Sequence, residues 1–170
     1  RDIMEIREPL YRQVADLVVS TEKRGTVAVV KEIRRRLETE LSDDQTLEVA
    51  LGDRSYPIYI GRQLLADPRW YQPHIRGRQV MIVSNETVAP LYMAPVEQAL
   101  AGYQLARVIL PDGEEYKTLE IWHRIFDSLL CNRFSRDCTL VALGGGVVGD
   151  MGGFAAAWYQ RGADFIGRHV

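Results

Sequence analysis

The hydrophobic pattern of this chain changes period twice. Residues Thr26 to Glu40 carry apolar positions at Val30, Ile33 and Leu37, the spacing of one helix face. Thr26 is placed to cap the first turn, and Arg34, Arg35 and Arg36 lie near the end, where positive charge complements the helix dipole. After the polar, acidic stretch Leu41–Thr46 the period becomes two. Leu47, Val49 and Leu51 alternate with Glu48 and Ala50, and Gly52-Asp53-Arg54-Ser55 supplies turn chemistry before Tyr56–Ile60, which predicts a hairpin. From there short apolar runs alternate with helical stripes. Gln79–Val83, Leu105–Leu110 and Thr139–Leu143 read as buried strands, and Asn85–Leu100 as a helix. A further helix, capped by Thr118, presents the face Leu119, Trp122, Ile125, Phe126, Leu129 and Leu130. The alternation predicts an α/β fold, a sheet with helices packed on it.

Composition narrows the picture. With 170 residues, 46% hydrophobic and 26% charged, the chain can bury a real core, and one domain is the default count. A formal charge of -2 creates no global positive field, so nucleic acid is not expected as a partner. No apolar run approaches the roughly 20 residues that span a bilayer, and the start lacks a signal-peptide pattern. The expectation is a cytoplasmic protein without a membrane partner. Cys131 and Cys138 form no C-x-x-C pair and read as idle thiols. His74, His123 and His169 are scattered without ligand spacing, so no metal site is expected. The chain begins with Arg and stops just after a strand-like run, the pattern expected of a fragment.

The strongest chemical signal is Gly144-Gly145-Gly146-Val147-Val148-Gly149-Asp150, placed between a buried strand and the small-residue helix start Met151–Ala157. Bare glycine backbone lets a ligand approach closely, and helix-terminal N–H groups can bind a pyrophosphate. The Asp150 carboxylate suits a sugar hydroxyl or an amide. The competing explanation is a tight turn packed against Ala155 and Ala156. The loop lacks the Lys-Ser/Thr of a P-loop and the spacing of G-x-G-x-x-G, so the residues themselves give only a nucleotide or phosphate site. A second cluster, Pro111-Asp112-Gly113-Glu114-Glu115-Tyr116-Lys117, follows a strand and precedes a helix, which puts it on the same rim. Its carboxylates can grip hydroxyls and Lys117 can offset phosphate charge, although such a run is also common in a solvated turn.

In order and spacing, Ser84–Tyr92, Leu110–Leu119, Leu143–Ala157 and Tyr159–Ile166 resemble 3-dehydroquinate synthase, over about residues 47 to 166. The resemblance implies a Rossmann-like NAD-binding domain of the dehydroquinate synthase type. It places Asp112, Gly113, Glu114, Glu115, Tyr116 and Lys117, with Gly145, Gly146, Val147, Val148, Gly149 and Asp150, around NAD, and Asn85 near the adenosine ribose. Arg161 resembles the arginine that reaches the substrate phosphate, plausibly across a homodimer interface, a task suited to a planar bidentate donor. The implied reaction converts the sugar phosphate 3-deoxy-arabino-heptulosonate 7-phosphate to 3-dehydroquinate and phosphate, with NAD used catalytically. The family's zinc or cobalt ligands and catalytic lysines have no counterpart here, so no catalytic residue is assigned and the chain alone is expected not to turn over. Residues 167–170 fit no family position and read as an off-pattern tail.

Residues 1–41 form a short β/α segment similar to the carboxyl end of shikimate kinase, on Arg7-Glu8-Pro9-Leu10-Tyr11-Arg12 and the helix begun at Thr26. There Arg7 would resemble the arginine that binds the shikimate carboxylate, and Arg24 a residue near the adenine of ATP; otherwise Arg7 and Arg12 serve solubility at a helix start. With residues 42–46 as linker, the order suggests a fused kinase–synthase. The alternatives are a glycerol-dehydrogenase-like metal alcohol dehydrogenase and a non-catalytic nucleotide-binding module.

Overall fold

The computed structural model describes residues 44–170. These belong to two compact units, one ending at Arg62 and the other Gln63–Val170. In the first, β1 (Gln45–Val49) pairs antiparallel with β2 (Tyr56–Ile60), with Leu47 opposite Ile58 and Val49 opposite Tyr56. The period-two pattern thus puts the apolar side chains on one face. Ser55 closes the turn: its Oγ accepts from the Leu51 N–H at 2.9 Å and donates to the Gly52 carbonyl at 2.7 Å. Gln45 and Thr46, expected in the linker, are already strand residues.

The second unit is a four-stranded, wholly parallel sheet. Its strands are β3 (Gln79–Asn85), β4 (Gln104–Leu110), β5 (Thr139–Leu143) and β6 (Asp164–Arg168), in the order β4-β3-β5-β6. Three helices connect them: α1 (Ala89–Ala99), α2 (Leu119–Cys131) and α3 (Gly146–Trp158). Alternate residues of the central strands feed two cores. Met81, Val83, Leu140 and Ala142 pack with Ile121, Ile125 and Leu129 of α2 and Met151 and Ala155 of α3. Val80, Ile82, Val141 and Leu143 pack on the other face with Met93, Val96 and Leu100. Burial on both faces is why β3 and β5 read as continuous apolar runs. The chain leaves β3 toward one face and β5 toward the other, so a topological switch point lies between their carboxyl ends.

Three expectations need correction. The first helix starts at Ala89, not Asn85, because Asn85 is the last residue of β3 and its side-chain oxygen accepts the Val88 N–H. The buried stripe of α2 is Ile121, Ile125 and Leu129, with Trp122 and Phe126 packed at its side; Leu119 and Leu130 are 67% and 60% exposed. At about 100° per residue both lie more than 100° round from the stripe's centre. Finally, β6 takes in Gly167 and Arg168, opposite Ala142 and Leu143. Arg168 is buried with its guanidinium 4.1 Å above the Tyr71 ring, and donates to the Trp70 carbonyl at 2.5 Å.

Of the two thiols, Cys131 is exposed and Cys138 is buried at the start of β5. Burial, reinforced by the neighbouring Asp137 charge, pushes the Cys138 thiol up to about 11. A raised acid pKa means the folded state holds the proton longer than the unfolded chain, so stability falls as pH rises from about 9 toward about 11. Cys138→Ala should flatten that alkaline decline in urea unfolding midpoints, and thiol titration of the native chain at neutral pH should count one fast cysteine. Leu129→Ala should cost about 2–5 kcal/mol in the same assay, whereas Leu130→Ala should stay within about 0.5 kcal/mol.

Candidate functional site

Three connections meet at the carboxyl rim of the sheet. The first follows β3. Asn85 is only 7% exposed, and its Nδ2 donates to Asp112 Oδ1 at 2.6 Å while its Oδ1 accepts from the Val88 N–H at 2.8 Å. Thr87 Oγ1 donates to Asp112 Oδ2 at 2.7 Å, and the Glu86 N–H donates to the Leu110 carbonyl at 3.0 Å. Just below, Ser84 Oγ donates to the Leu143 carbonyl at 2.8 Å, fastening the ends of β3 and β5 together.

The second connection, Pro111–Thr118, leaves β4. Gly113 has φ +126, a conformation that L side chains rarely adopt, and the Glu115 carboxylate folds back over the space a side chain at 113 would need. Glu114–Tyr116 make one 3-10 turn, and Thr118 Oγ1 accepts from the Ile121 N–H at 3.3 Å to cap α2. Lys117 Nζ donates to Asp150 Oδ2 at 2.8 Å and to Glu114 Oε1 at 3.2 Å, so this connection is also tied to the glycine segment. The Asp150 bond first, then that to Glu114, raises the Lys117 ammonium above its ordinary pKa. Lying open to solvent, the pair adds little to the stability of the fold.

The third connection is shorter than the sequence suggests. Only Gly144 and Gly145 separate β5 from α3, which starts at Gly146 rather than Met151. Gly144 has φ +156, its N–H donates to the Arg168 carbonyl at 2.9 Å, and an added Cβ would stand 3.0 Å from Val148 Cγ2. The Gly149 N–H to Gly145 carbonyl bond, 3.0 Å, is the first of the helix. Helix geometry leaves the N–H groups ahead of Gly149 without an intrahelical acceptor, at the positive end of the dipole, an arrangement suited to a phosphate.

The glycines divide by purpose. A Cβ at Gly152 would lie 3.1 Å from that of Ala142, so glycine there allows α3 to approach β5. Gly145 has φ -78 and ψ -165, which any residue adopts, and a Cβ at Gly145 or Gly146 meets nothing within 4 Å among the described residues. Neither the backbone nor the core requires glycine at these two positions, and both leave bare main chain beside the helix N-terminus. The residues therefore fit the pyrophosphate of a dinucleotide, with Glu114, Glu115 and Asp150 near enough in the same rim to take hydroxyl or amide groups.

Asn85, the 112–117 stretch and the 145–150 stretch thus share one rim. Arg161 does not join them. It lies beyond the far end of α3, about 20 Å along the helix axis from the glycines, in a tight turn with φ +70 after Gln160 at φ +47. Arg7 lies outside the described residues. Among the described residues no group of three or more His, Cys, Asp or Glu side chains gathers to hold a metal, and no helix is long and apolar enough to cross a membrane. Two neighbours of the rim escaped the sequence reading. Thr87 stood within a motif but carried no assigned role. His169 brings its Cε1 to 3.9 Å from the space beside Gly149, after the strand that was expected to have ended.

Residues 107–168 match the family model described as 3-dehydroquinate synthase N-terminal. The chain is 61% identical over 122 residues to a 3-dehydroquinate synthase of Pseudomonas aeruginosa (strain LESB58), which covers 72% of this chain and 33% of that one. It is 59% identical over the same length to one of Hydrogenovibrio crunogenus, with 72% and 34% covered. The chain therefore spans about a third of the length of the curated relatives it matches. Among solved structures, a 2-deoxy-scyllo-inosose synthase complexed with carbaglucose-6-phosphate, NAD+ and Co2+ superposes with TM-score 0.66 at 24% identity, over 72% of this chain and 34% of that one. A 2-epi-5-epi-valiolone synthase from Streptomyces hygroscopicus with NAD+ and Zn2+ bound gives 0.58 at 27%, over 70% and 33%. These superpositions show the fold.

Two substitutions separate scaffold from site. Thr118→Ala should cost about 1 kcal/mol through the lost cap, whereas Lys117→Met should leave the unfolding midpoint nearly unchanged, both read by urea denaturation.

Proposed function

We propose that this chain is the N-terminal, NAD-binding part of a 3-dehydroquinate synthase, with its dinucleotide domain at residues 47–166. The observation that carries the reading is the bare backbone at Gly145 and Gly146, where the fold itself makes no demand for glycine. The 61% identity to a synthase over 122 residues supports it, as does the NAD+ bound in two structures of this fold. The α3 N-terminus and glycine main chain would hold the pyrophosphate, while the carboxylates of Glu114, Glu115 and Asp150 would take ribose hydroxyls or the carboxamide. Lys117 would balance phosphate charge. Bound NAD supplies a hydride acceptor that returns what it takes, so its contacts must hold one orientation throughout.

In this reading the longer enzyme converts 3-deoxy-arabino-heptulosonate 7-phosphate to 3-dehydroquinate and phosphate, a cytoplasmic step toward aromatic amino acids. Arg161, on the opposite rim, would serve the phosphate site of a second copy in a homodimer. Zinc or cobalt would belong to the remainder of the synthase. The shikimate-kinase-like segment, with Arg7 and Arg24, would make the parent protein a kinase–synthase fusion.

Calorimetric titration of the chain with NAD should show saturable binding to one site. Gly145→Val should weaken it by at least about tenfold, a loss of about 1.4 kcal/mol, while costing the fold no more than about 1 kcal/mol at the α3 N-cap; absence of binding to the unaltered chain overturns the proposal. Incubation with the sugar phosphate should release no phosphate from the chain alone, since turnover is assigned to the longer enzyme.

A further inference from the structure

The Asp112 carboxylate has both oxygens engaged from within the chain, Oδ1 by Asn85 Nδ2 at 2.6 Å and Oδ2 by Thr87 Oγ1 at 2.7 Å. Asn85 is held at its other end as well, through the Val88 N–H at 2.8 Å. Its amide cannot turn over without setting the NH2 group against that N–H and the carbonyl oxygen against the carboxylate. Two good bonds would become two repulsive contacts in a site where Asn85 is 7% exposed. The two bonds to Asp112 connect the turn after β3 with the turn after β4, and the third holds Asn85 in place. At its other end the second connection is tied to α3 by Lys117 and Asp150. It is thus pinned at both ends, and Gly113–Tyr116 between the pins is the part left to present groups to a ligand.

We infer that Asp112 is a positioning residue: with Asn85 and Thr87 it forms a clasp that aligns the β3 and β4 turns beside the glycine backbone. What the clasp positions rests on the NAD reading; the clasp itself does not. Thr87 has no route to the bound molecule in this scheme except through Asp112, so the two residues must be strongly coupled.

The test uses the full 170-residue chain. By NMR, the Asn85 side-chain amide of the ligand-free protein should exchange at least about tenfold more slowly than a free amide, and the protection should vanish in Asp112→Ala. In NAD titrations Thr87→Val should weaken binding by about fivefold to tenfold, Thr87→Ser should restore it, and Thr87→Val added to Asp112→Ala should bring no further loss. Additive losses would put Asp112 on the cofactor directly and overturn the clasp, as would an Asn85 amide that exchanges freely in the unaltered chain. The mild Thr87 pair keeps the question decidable even where Asp112→Ala fails to fold. A chain that protects the Asn85 amide in an Asp112-dependent way yet binds no NAD would overturn the cofactor reading and leave the clasp standing.

Discussion

The parallel pairing of β3 with β5, from Val80 opposite Thr139 to Ser84 opposite Leu143, decides where every ligand-facing group stands. Both strands are buried on both faces, so a slip of one residue would send Met81 and Val83 to the core now filled by Val80 and Ile82, and the reverse. Ser84 adds a side-chain lock, bonding to the carbonyl of the residue it faces. With the register fixed, Asn85 and Gly144 leave the sheet at the same level and turn to opposite faces. The gap between them is therefore a product of core packing, and the chemistry of the rim is attached to it rather than responsible for it.

The other strands extend that rim. Pairing of β3 with β4 brings Asn85 opposite Leu110, so Asp112 emerges within reach of the Asn85 amide. Pairing of β5 with β6 sets Arg168 opposite Leu143, where its carbonyl receives the Gly144 N–H. The first glycine of the loop is thus held by the edge strand, while a side chain at either of the next two would meet nothing within 4 Å among the described residues.

What could be read from the sequence was whatever depends on local periodicity. The apolar runs at 79–83, 105–110 and 139–143 are strands, and their alternation with helices places the Asp112–Lys117 and Gly144–Asp150 segments on one edge. The boundaries that failed depend on contacts between distant residues. Glycines are poor helix formers, so Gly146–Gly149 read as loop; it is the close seat of α3 on β5, allowed by Gly152 opposite Ala142, that makes them helical. Arg168 read as part of a tail at residues 167–170 because those residues fit no position of the family pattern, and nothing local marks it for burial. Its burial needs the Tyr71 ring and the Trp70 carbonyl, nearly a hundred residues earlier. The role of Thr87 is invisible for the same reason, since its partner Asp112 is 25 positions away.

The bond between Lys117 and Asp150 has a consequence for how the rim meets a charged molecule. Cation and anion already face each other beside the glycine backbone, so Lys117 can meet a phosphate only by giving up a carboxylate. If the rim holds a dinucleotide as proposed, its arrival would be an exchange of partners: the lysine would give up a carboxylate for a phosphate, and the aspartate would give up an ammonium for a neutral donor. Dissolved salt weakens the pair being lost and the pair being gained alike, and the two effects offset each other. Such a site discriminates by the geometry of the replacement partners and gains little from attraction at a distance.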